Sequence, residues 1–550
     1  MKQPRIDERS RGPVSAVPAV MTLPMMALVV IAGCAKNAGH TDSAETAARV
    51  ADGAVSPDMT APPQPTDARV KPSQSSAPAP AAGADQSANP PAGRPNILWI
   101  VWDAVRTDHM SLYGYPRPTT PKLARWAKKA RVYTNMMAAA TASTSAYATM
   151  LTGLFPSEHG VNYEQRFLPG QLTTIAELLS GAGYQTFLYS AHPGVTDGNN
   201  FDQGFDLVQY PWSEPYRDDA FALVKQKVPL DDMSSEITRR IHSMSVGNWA
   251  YKAAGIFGQY ALLGWLTDRD QTQPWFATMI YTEAHRPHLP SMDYRIRAMG
   301  AERAEQSRHV ERIKVRIWAY TFGAPSYTDE QLEVLNGMYD ATIMELDDEF
   351  DELIKALDVQ GYLDNTIVVL TADHGDLHGD HHVVGHDFVM YEQLLRIPMI
   401  LYGPGRIQPG VEQRPVSQVD IAATIADWAG VTMPAAMTRH AVSLLSPKPQ
   451  RLRFAEYPTY HKKALEIMKF YAPDFDPTPW QRSLRCVRDD RYKLIWASDG
   501  RHQLFDLTTD PLETRNVIDA RLTEAKRLRA ALEQTLPHAA AVPPPPSPSP

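Results

Sequence analysis

Acidic side chains follow two short apolar runs of the sequence, close to the point where each run ends. Asp103 comes directly after 96–102, and Asp373 and His374 follow 366–371 after one further residue. An uninterrupted apolar run of this length is typical of a strand that is buried on both faces of a sheet. Ligands of open α/β sheets bind at the carboxyl ends of strands. The two strand ends are therefore the candidate functional site.

Several histidines continue the second of these clusters. Four or more histidines in so short a segment can bind zinc, which is one interpretation. We favour the alternative, in which one histidine binds a metal, one contacts substrate and the others lie on a solvated loop. The histidines of this segment are His374, His378, His381, His382 and His386.

The order of elements along the chain predicts the fold class. Strand-like and helix-like stretches alternate over 95–447, which favours an α/β fold with a mostly parallel sheet sandwiched by helices. Apolar residues three or four apart over 335–357 predict one long helix of that layer. Over 448–537 the pattern changes to a hairpin at 491–506 and a final amphipathic helix. We therefore predict a catalytic domain over 95–447 and a small C-terminal α+β subdomain over 448–537.

Composition excludes a wholly disordered, a collagen-like and a multi-span membrane protein. The 550 residues are 43% hydrophobic and 21% charged, which is ordinary for a globular protein. Lys and Arg number 54 against 62 Asp and Glu, a net charge of −8, so no basic excess favours a nucleic-acid partner. Two cysteines, Cys34 and Cys486, cannot make a disulfide framework or a zinc-type pair. A metal site must therefore use other residues.

The N-terminus has the pattern of an export signal. A basic stretch precedes an apolar run that ends at Cys34, and the segment 31–34, Ile-Ala-Gly-Cys, resembles the bacterial lipobox. This resemblance implies a lipoprotein signal peptide over 1–33 and lipidation of Cys34, with a plain signal peptide as the alternative. We expect a protein of the bacterial cell envelope, held at the outer membrane or the periplasmic face by its lipid anchor only.

Two segments have the composition of disordered chain. The segment 34–94 is rich in Ala, Pro and Ser, and 538–550 is mostly proline and serine. Neither can bury enough apolar area to offset the entropy of ordering. We predict a tether between anchor and enzyme, and a disordered tail.

Short motifs follow one another along the chain in a fixed order. They lie at 94–103, 113–121, 151–160, 183–186, 373–375, 396–398, 419–420 and 504–513. Together these motifs resemble the sulfatase family, a branch of the alkaline phosphatase superfamily. The resemblance implies an alkaline-phosphatase-like fold and hydrolysis of sulfuric or phosphoric esters.

The same resemblance implies roles for individual residues. Asp103, Asp373 and His374 match the metal ligands of the family. His288 matches the histidine that contacts the ester and protonates the leaving oxygen, a normal task for an imidazole near pH 7. His386 stands where sulfatases usually have a sulfate-binding lysine. The alternative is that Asp103 caps a helix and Asp373-His374 is only a polar strand end.

The nucleophile position departs from the family pattern. Counting ten residues back from Gly153 reaches Ser143, where sulfatases begin the motif Cys/Ser-x-Pro-x-Arg that is oxidised to formylglycine. Here Ser145 and Tyr147 replace the Pro and the Arg. We therefore predict that Ser143 stays a hydroxyl, acts as the nucleophile and lies at the start of a helix opening near residue 145. The alternative makes Ser143 only a helix N-cap.

This departure brings the site closer to single-metal relatives. Asp103, Ser143, Asp373 and His374 resemble the ligand set of phosphoethanolamine transferases and lipoteichoic acid synthases. Where arylsulfatases commonly have two adjacent Asp, this chain has Asp103-Ala104. One carboxylate fewer favours a single Mn, Mg or Zn ion over Ca.

Three functions follow from these residues. The first is a metal-dependent hydrolase of a sulfated or phosphorylated small molecule, glycan or lipid. A seryl ester must be released by water or by an acceptor alcohol, so the second is a phospho-group transferase that modifies an envelope alcohol. The third is a catalytically silent glycan-binding protein.

Overall fold

The structure is a computed structural model that describes residues 93–228, 250–310, 314–447 and 452–536. These residues belong to one compact unit. The predicted signal peptide, Cys34, the tail over 538–550 and all but the last two residues of the tether lie outside the described residues. Within the described ranges, no helix combines the length and the apolar character that crossing a membrane would require.

Two sheets and a short ribbon contain the strands. The strands of the described ranges are β1 (Asn96–Trp102), β2 (Arg131–Met137), β3 (Gln185–Ser190), β4 (Leu207–Gln209), β5 (Trp275–Tyr281), β6 (Thr366–Thr371), β7 (Leu377–His378), β8 (Val384–Gly385), β9 (Arg396–Tyr402), β10 (Gly410–Glu412), β11 (Val416–Ser417), β12 (Arg453–Tyr457), β13 (Leu484–Arg488), β14 (Tyr492–Ala497) and β15 (Gln503–Asp506). In the main sheet the order is β10-β2-β9-β6-β1-β5-β3-β4, with β11 also paired to β2. The second sheet consists of β12 to β15, and β7 pairs with β8 in the short ribbon.

Helices pack on these sheets, and the predicted apolar stripe lies on the longest of them in the described part of the chain. That helix begins with a capping box, in which Thr328 accepts from the amide of Gln331. The α-helices of the described ranges are α1 (Pro121–Trp126), α2 (Ser143–Thr152), α3 (Pro156–His159), α4 (Ile175–Gly181), α5 (Arg217–Lys227), α6 (Ala254–Asp268), α7 (Met292–Met299), α8 (Ala301–Gln306), α9 (Lys314–Thr321), α10 (Asp329–Val359), α11 (Glu392–Leu395), α12 (Asp420–Ala429), α13 (Lys462–Tyr471) and α14 (Leu522–Thr535).

The register of the central strands positions the site. β1 lies between β5 and β6 and is parallel to both, and β9 is antiparallel to β2 and β6. Val101 of β1 is the register partner of Thr371 of β6. Asp103 and Asp373 each lie two residues beyond that pair, so both follow the carboxyl ends of neighbouring parallel strands. The predicted mostly parallel α/β fold is confirmed.

The C-terminal part is a separate antiparallel layer, as predicted. Tyr492 of β14 pairs with Asp506 of β15, and all pairs in this sheet are antiparallel. Its apolar face packs against α14 through Leu528 and Leu532, which are fully buried. The amphipathic pattern of that helix is therefore explained by one buried face.

Candidate active site

The two aspartates at the strand ends, Asp103 and Asp373, are buried and differ in the hydrogen bonds that they accept. The carboxylate oxygen Oδ1 of Asp373 accepts from the amide of Ala104 at 2.9 Å and from that of His374 at 2.8 Å. Ala104 has a φ of 64°, a conformation that a residue with a side chain adopts at some cost. This turn lets the chain after Asp103 reach Asp373, so the backbone itself ties the two strand ends together.

His374 and Ser143 face each other within this site. The ring nitrogen Nδ1 of His374 donates to the carbonyl oxygen of Gly375 at 2.8 Å. Because a carbonyl can only accept, Nδ1 holds the proton and Nε2 holds a lone pair. Nε2 lies 3.0 Å from Ser143 Oγ. The structure therefore brings the predicted nucleophile together with a predicted metal ligand.

The donor atoms of this group fit a cation. His374 Nε2 lies 3.3 Å from Asp373 Oδ2, so in this tautomer two lone pairs oppose each other unless a proton or a cation lies between them. Two ligands of one tetrahedral zinc ion would be about 3.3 Å apart. Asp103 Oδ1 and Asp373 Oδ2 are buried and accept no hydrogen bond from the residues that the structure describes. Burial, and then the charge of Asp373, raise the pKa of Asp103 well above its usual value.

Ser143 is placed by helix α2, which begins two residues earlier than predicted. Ser143 is its first residue, and the N-cap is Ala142, whose side chain makes no capping bond. The Ser143 hydroxyl contacts His374 and is 6% exposed. The N-cap interpretation of Ser143 is therefore wrong. The first turn of α2 presents backbone N–H groups, which favour an anionic oxygen.

Tyr147 takes part in the site, which the sequence analysis missed. It stands at the Arg position of the family motif, and its hydroxyl donates to Asp103 Oδ2 at 3.2 Å. Ser143 and Tyr147 are four residues apart on α2 and thus lie on one face of the helix. The four-residue spacing was the signal by which the sequence could have identified Tyr147 as a residue of the site. The departure from the motif replaces a cation by a neutral donor to a carboxylate.

His386 lies beside the predicted metal ligands. Its ring stacks on that of His374 with centroids 4.4 Å apart, and its Nδ1 donates to the carbonyl oxygen of Thr141 at 2.8 Å. Burial, and then His374, lower the pKa of His386 well below its usual value. Its Nε2 can therefore donate to an anion only after a second proton is added. His285 is also close, 5.7 Å from the ring of His386.

A buried lysine supplies positive charge near this group. Lys252 Nζ donates to the carbonyl oxygen of Thr282 at 2.6 Å and also to that of His285. Burial lowers the pKa of Lys252 to about 7, and the charges of Glu283 and Asp103 oppose that shift. Lys252 lies in the insertion between β4 and β5, where the sequence analysis predicts no residue of the site. No local pattern there could have identified it.

The histidines of the loop over 374–386 go to different places. His374 contacts Ser143, and His386 stacks on His374. His378 lies against the ring of Tyr339, with centroids 4.4 Å apart. The other two stack on tyrosines outside this group, His381 on Tyr391 and His382 on Tyr320. The structure therefore does not gather the five into one zinc cluster.

His288 packs in a neighbouring pocket with His378. Its Nε2 is 3.9 Å from Asp376 Oδ2, and its ring is 5.0 Å from that of His378. Among the described residues, His288, Asp376 and His378 form a group of side chains of the metal-ligand type whose ligand atoms lie within 4.8 Å of one another. Asp376 was not predicted to be a site residue. The predicted contact of His288 with the ester stays a prediction.

Comparisons with known proteins agree with this fold. The family model described as Sulfatase matches residues 95–431, and the model described as N-sulphoglucosamine sulphohydrolase, C-terminal, matches 379–541. The choline-sulfatase of Rhizobium meliloti is 26% identical over 470 residues, which cover 80% of this chain and 87% of the relative. The N-acetylglucosamine-6-O-sulfatase of Bacteroides thetaiotaomicron is 24% identical and covers 80% of this chain and 86% of its own.

A solved structure shows the same fold. The phosphonate monoester hydrolase of Agrobacterium radiobacter superposes with a TM-score of 0.61 at 21% identity, over 80% of this chain and 96% of its own. The matched family covers both strand ends and helix α2. The chain therefore belongs to the sulfatase family of the alkaline phosphatase superfamily, and it is an ester hydrolase of the sulfatase type that acts on sulfuric or phosphoric esters.

Proposed function

We propose that the protein hydrolyses its ester through the unmodified hydroxyl of Ser143, with one divalent metal ion. Asp103, Asp373, His374 and Ser143 would hold the ion, with Mn, Mg or Zn favoured over Ca because Asp103-Ala104 supplies one carboxylate fewer than two adjacent aspartates would. The observation that carries this proposal is the 3.0 Å separation of Ser143 Oγ from the lone-pair nitrogen of His374. A cation bound there would lower the pKa of the Ser143 hydroxyl and neutralise the non-bridging oxygens of the ester.

The residues of the chain then perform the first half of the reaction. Ser143 releases its proton to solvent, and Oγ attacks sulfur or phosphorus from the first turn of α2. The bond to the leaving oxygen breaks, and His288 gives that oxygen a proton. His386, whose ring stacks on that of His374, contacts the ester. Lys252 adds positive charge near Asp103.

The second half of the reaction releases the inorganic product. A water molecule attacks the seryl ester at sulfur or phosphorus, and the bond to Ser143 Oγ breaks. His288, which lost its proton in the first half, takes the proton of the water. A formylglycine hydrate would expel its ester without this water, so the two mechanisms differ in their last step.

The substrate is proposed to be a sulfated or phosphorylated glycan, small molecule or lipid. One relative is named as a sulfatase of N-acetylglucosamine, another as a choline-sulfatase, and a structural neighbour as a phosphonate monoester hydrolase. The cationic groups near Ser143 include imidazoles, Lys252 and Arg286, which acts electrostatically on His386, and Tyr147 stands where the motif has arginine. This set of charges is compatible with either anion.

The place of action is proposed from the N-terminal pattern. Lipidation of Cys34 would anchor the enzyme in the bacterial cell envelope, at the outer membrane or the periplasmic face. Labelling of the full chain with a radioactive fatty acid in a bacterial host, beside a Cys34→Ala variant, tests this. Label in the parent and none in the variant supports the anchor, and equal label in both rejects it.

The decisive experiment replaces the nucleophile. Ser143→Ala is assayed on nitrophenyl sulfate, nitrophenyl phosphate and a phosphodiester, each with added Mn, Mg, Ca or Zn. We expect kcat to fall by roughly 10⁴-fold or more, as when other enzymes lose their nucleophile. The matched control is Ser145→Ala, on the same helix, where the hydroxyl donates to the carbonyl oxygen of Val161 at 2.9 Å. This control should keep its activity.

Other outcomes separate the alternatives. Equal activity in Ser143→Ala and the parent would reject the nucleophile. An intact mass two hydrogens below the expected value at Ser143 would reject the unmodified hydroxyl. A parent that releases more leaving group than free phosphate when glycerol is added would favour the transferase. A parent inactive on every substrate and metal would favour a glycan-binding protein without turnover.

A further inference from the structure

A second group of ligand-type side chains lies beside the predicted metal site. His288 comes from the loop after β5, and Asp376 and His378 come from the loop after β6. All three are buried, with exposed fractions of 2%, 0% and 2%. Their ligand atoms lie within 4.8 Å of one another. The group therefore shares the loop after β6 with the Ser143 site and takes His288 from the loop after β5, the strand paired with β1 on its other side.

Neighbouring side chains hold this group in place. The ring of Tyr339 packs against His378 at 4.4 Å and against His288 at 5.3 Å. Tyr339 is itself fixed, since its hydroxyl donates to the carbonyl oxygen of Ala104 at 2.7 Å and accepts from the amide of Arg106 at 2.9 Å. Orientation of both imidazoles is thus set before any ligand binds.

The carboxylate of the group is also oriented. Asp376 Oδ1 accepts from the amide of Leu377 at 3.2 Å, and Oδ2 pairs with Arg286 Nε at 2.9 Å. Carboxylates that bind metals are commonly hydrogen-bonded by an outer residue of this kind. Each carboxylate oxygen has a further lone pair. Asp376 can therefore keep Arg286 and still offer a ligand atom.

A small cavity adjoins the two imidazoles. It has a volume of about 10 Å³ and is lined by Arg286, His288, His378 and the apolar residues Ile317, Leu335 and Val384. That is about the space of one water molecule or one ion. His378 Nε2 is buried and has no hydrogen-bond partner among the residues that the structure describes. A buried imidazole nitrogen at such a cavity is an open ligand position.

We propose that His288, Asp376 and His378 bind a second metal ion, of the zinc type. Two imidazoles and one carboxylate, with an open fourth position, suit Zn²⁺ or Co²⁺, whereas Mg²⁺ and Ca²⁺ prefer oxygen ligands. Binding there uses the lone pair of His288 Nε2. On the proposed function, in which His288 protonates the leaving oxygen, an ion in this second site inhibits the enzyme.

Metal stoichiometry tests the site without reference to activity. The full chain, stripped with a chelator, is dialysed against Zn²⁺ and its metal content is measured. We expect two equivalents for the parent and one for His378→Gln. The matched control is His382→Gln, an exposed histidine of the same loop, which should keep two. One equivalent in the parent, or two in His378→Gln, would overturn the proposal.

Asp373→Asn tells the two sites apart. This variant should also bind one equivalent, and the double variant with His378→Gln should bind none. If His378→Gln is poorly folded by circular dichroism, His378→Asn is used in its place. Should Ser143→Ala prove as active as the parent, the proposed function fails while the dialysis result still decides the second site.

Inhibition is measured with Mg²⁺ or Mn²⁺ as the activating ion and increasing Zn²⁺. We expect the parent to lose activity as the second equivalent binds. His378→Gln, measured relative to its own rate without Zn²⁺, should need at least about tenfold more Zn²⁺ for the same fractional inhibition. Equal sensitivity of parent and variant would show that zinc inhibits elsewhere and would overturn the inhibitory role.

Discussion

Two clusters of buried carboxylates in this molecule differ in how their charge is compensated. In the C-terminal layer, Lys493 is fully buried and its Nζ lies 2.8 Å from Glu513 Oε1 and 3.2 Å from Glu392 Oε1. At the strand ends, Asp103 and Asp373 are equally buried, yet in the described part of the chain the basic side chains within ion-pair distance are the histidines His192, 3.9 Å from Asp103 Oδ2, and His374, 3.3 Å from Asp373 Oδ2.

The difference separates a structural cluster from a functional one. A buried ion pair that loses one partner leaves an uncompensated charge, so the C-terminal cluster is sensitive to substitution. The strand-end cluster already contains uncompensated groups, which the metal ion of the proposed function would complete. Substitution should therefore cost stability in the first cluster and activity in the second.

Of the substitutions in these two clusters, Asp373→Asn should have the largest effect on activity, below that of Ser143→Ala. The loss of metal and charge stabilisation amounts to several kcal/mol, which corresponds to a kcat lower by roughly 10³-fold. In the absence of metal the variant should be more stable than the parent by about 1–3 kcal/mol, because an amide can donate to the lone pair of His374 Nε2. Thermal unfolding in chelator and assays with added Mn²⁺ check both.

The matched control is Asp340→Asn, at a buried aspartate whose oxygens are all satisfied. Oδ1 of Asp340 lies 2.7 Å from His109 Nδ1, and Oδ2 accepts from Tyr115 and Arg117. This substitution should lower stability. If both variants are destabilised to the same extent, the strand-end cluster is not held in an incomplete state.

Lys493→Met should have the largest effect on stability. It leaves Glu392 and Glu513 buried without their shared cation, which costs about 3–5 kcal/mol. Activity per folded molecule should not change, since Lys493 lies in the C-terminal layer. Urea unfolding monitored by tryptophan fluorescence gives the first quantity and a substrate assay gives the second. Lys355→Met, at an exposed i,i+4 pair with Asp351, should change stability by less than about 0.5 kcal/mol.

Tyr147→Phe should have an intermediate effect, on metal affinity. It removes the donor that orients Asp103 Oδ2, and loss of such an outer contact typically weakens metal binding by about 10–100-fold. Titration with Mn²⁺ followed by activity measures the change. Tyr189→Phe removes another buried hydroxyl, one that has no hydrogen-bond partner in the described ranges. That control should bind the metal as the parent does.

The sequence predicted the parts of the site that strand geometry fixes. β1 and β6 are continuous apolar runs, so their ends could be located and the neighbouring Asp103 and Asp373 identified. The stripe of α10 was equally clear because one face of it is buried. The family motif then located Ser143, whose type and spacing are local properties.

The parts that depend on long-range packing could not be predicted. Lys252 reaches the site from an insertion without a regular pattern, and only the folded chain shows which charges surround it. Tyr147 was interpreted as a lost cation, because the sequence does not show that its hydroxyl faces Asp103. The histidines of one short loop were considered together, whereas the turns of the loop send His378 and His386 to different pockets.

The smallest predicted effect concerns a buried histidine that the fold keeps neutral. His159 Nδ1 accepts from the amide of Val161 at 3.0 Å, and its Nε2 contacts Thr149 Oγ1 at 3.1 Å on helix α2. Burial lowers the pKa of His159 from 6.5 to about 3. The unfolded chain therefore binds a proton below pH 6.5 that the folded chain refuses, so acid favours unfolding.

This linkage should remove about 1.4 kcal/mol of stability between pH 7 and pH 5.5. His159→Asn can still accept from Val161 but does not titrate, so its stability should fall less over the same interval, whatever its value at pH 7. Urea unfolding at both pH values measures the difference. His382→Gln, at an exposed imidazole, should show the slope of the parent. A parent slope that persists in His159→Asn would place the acid-sensitive group elsewhere, and the incomplete strand-end cluster would then be the first region to test.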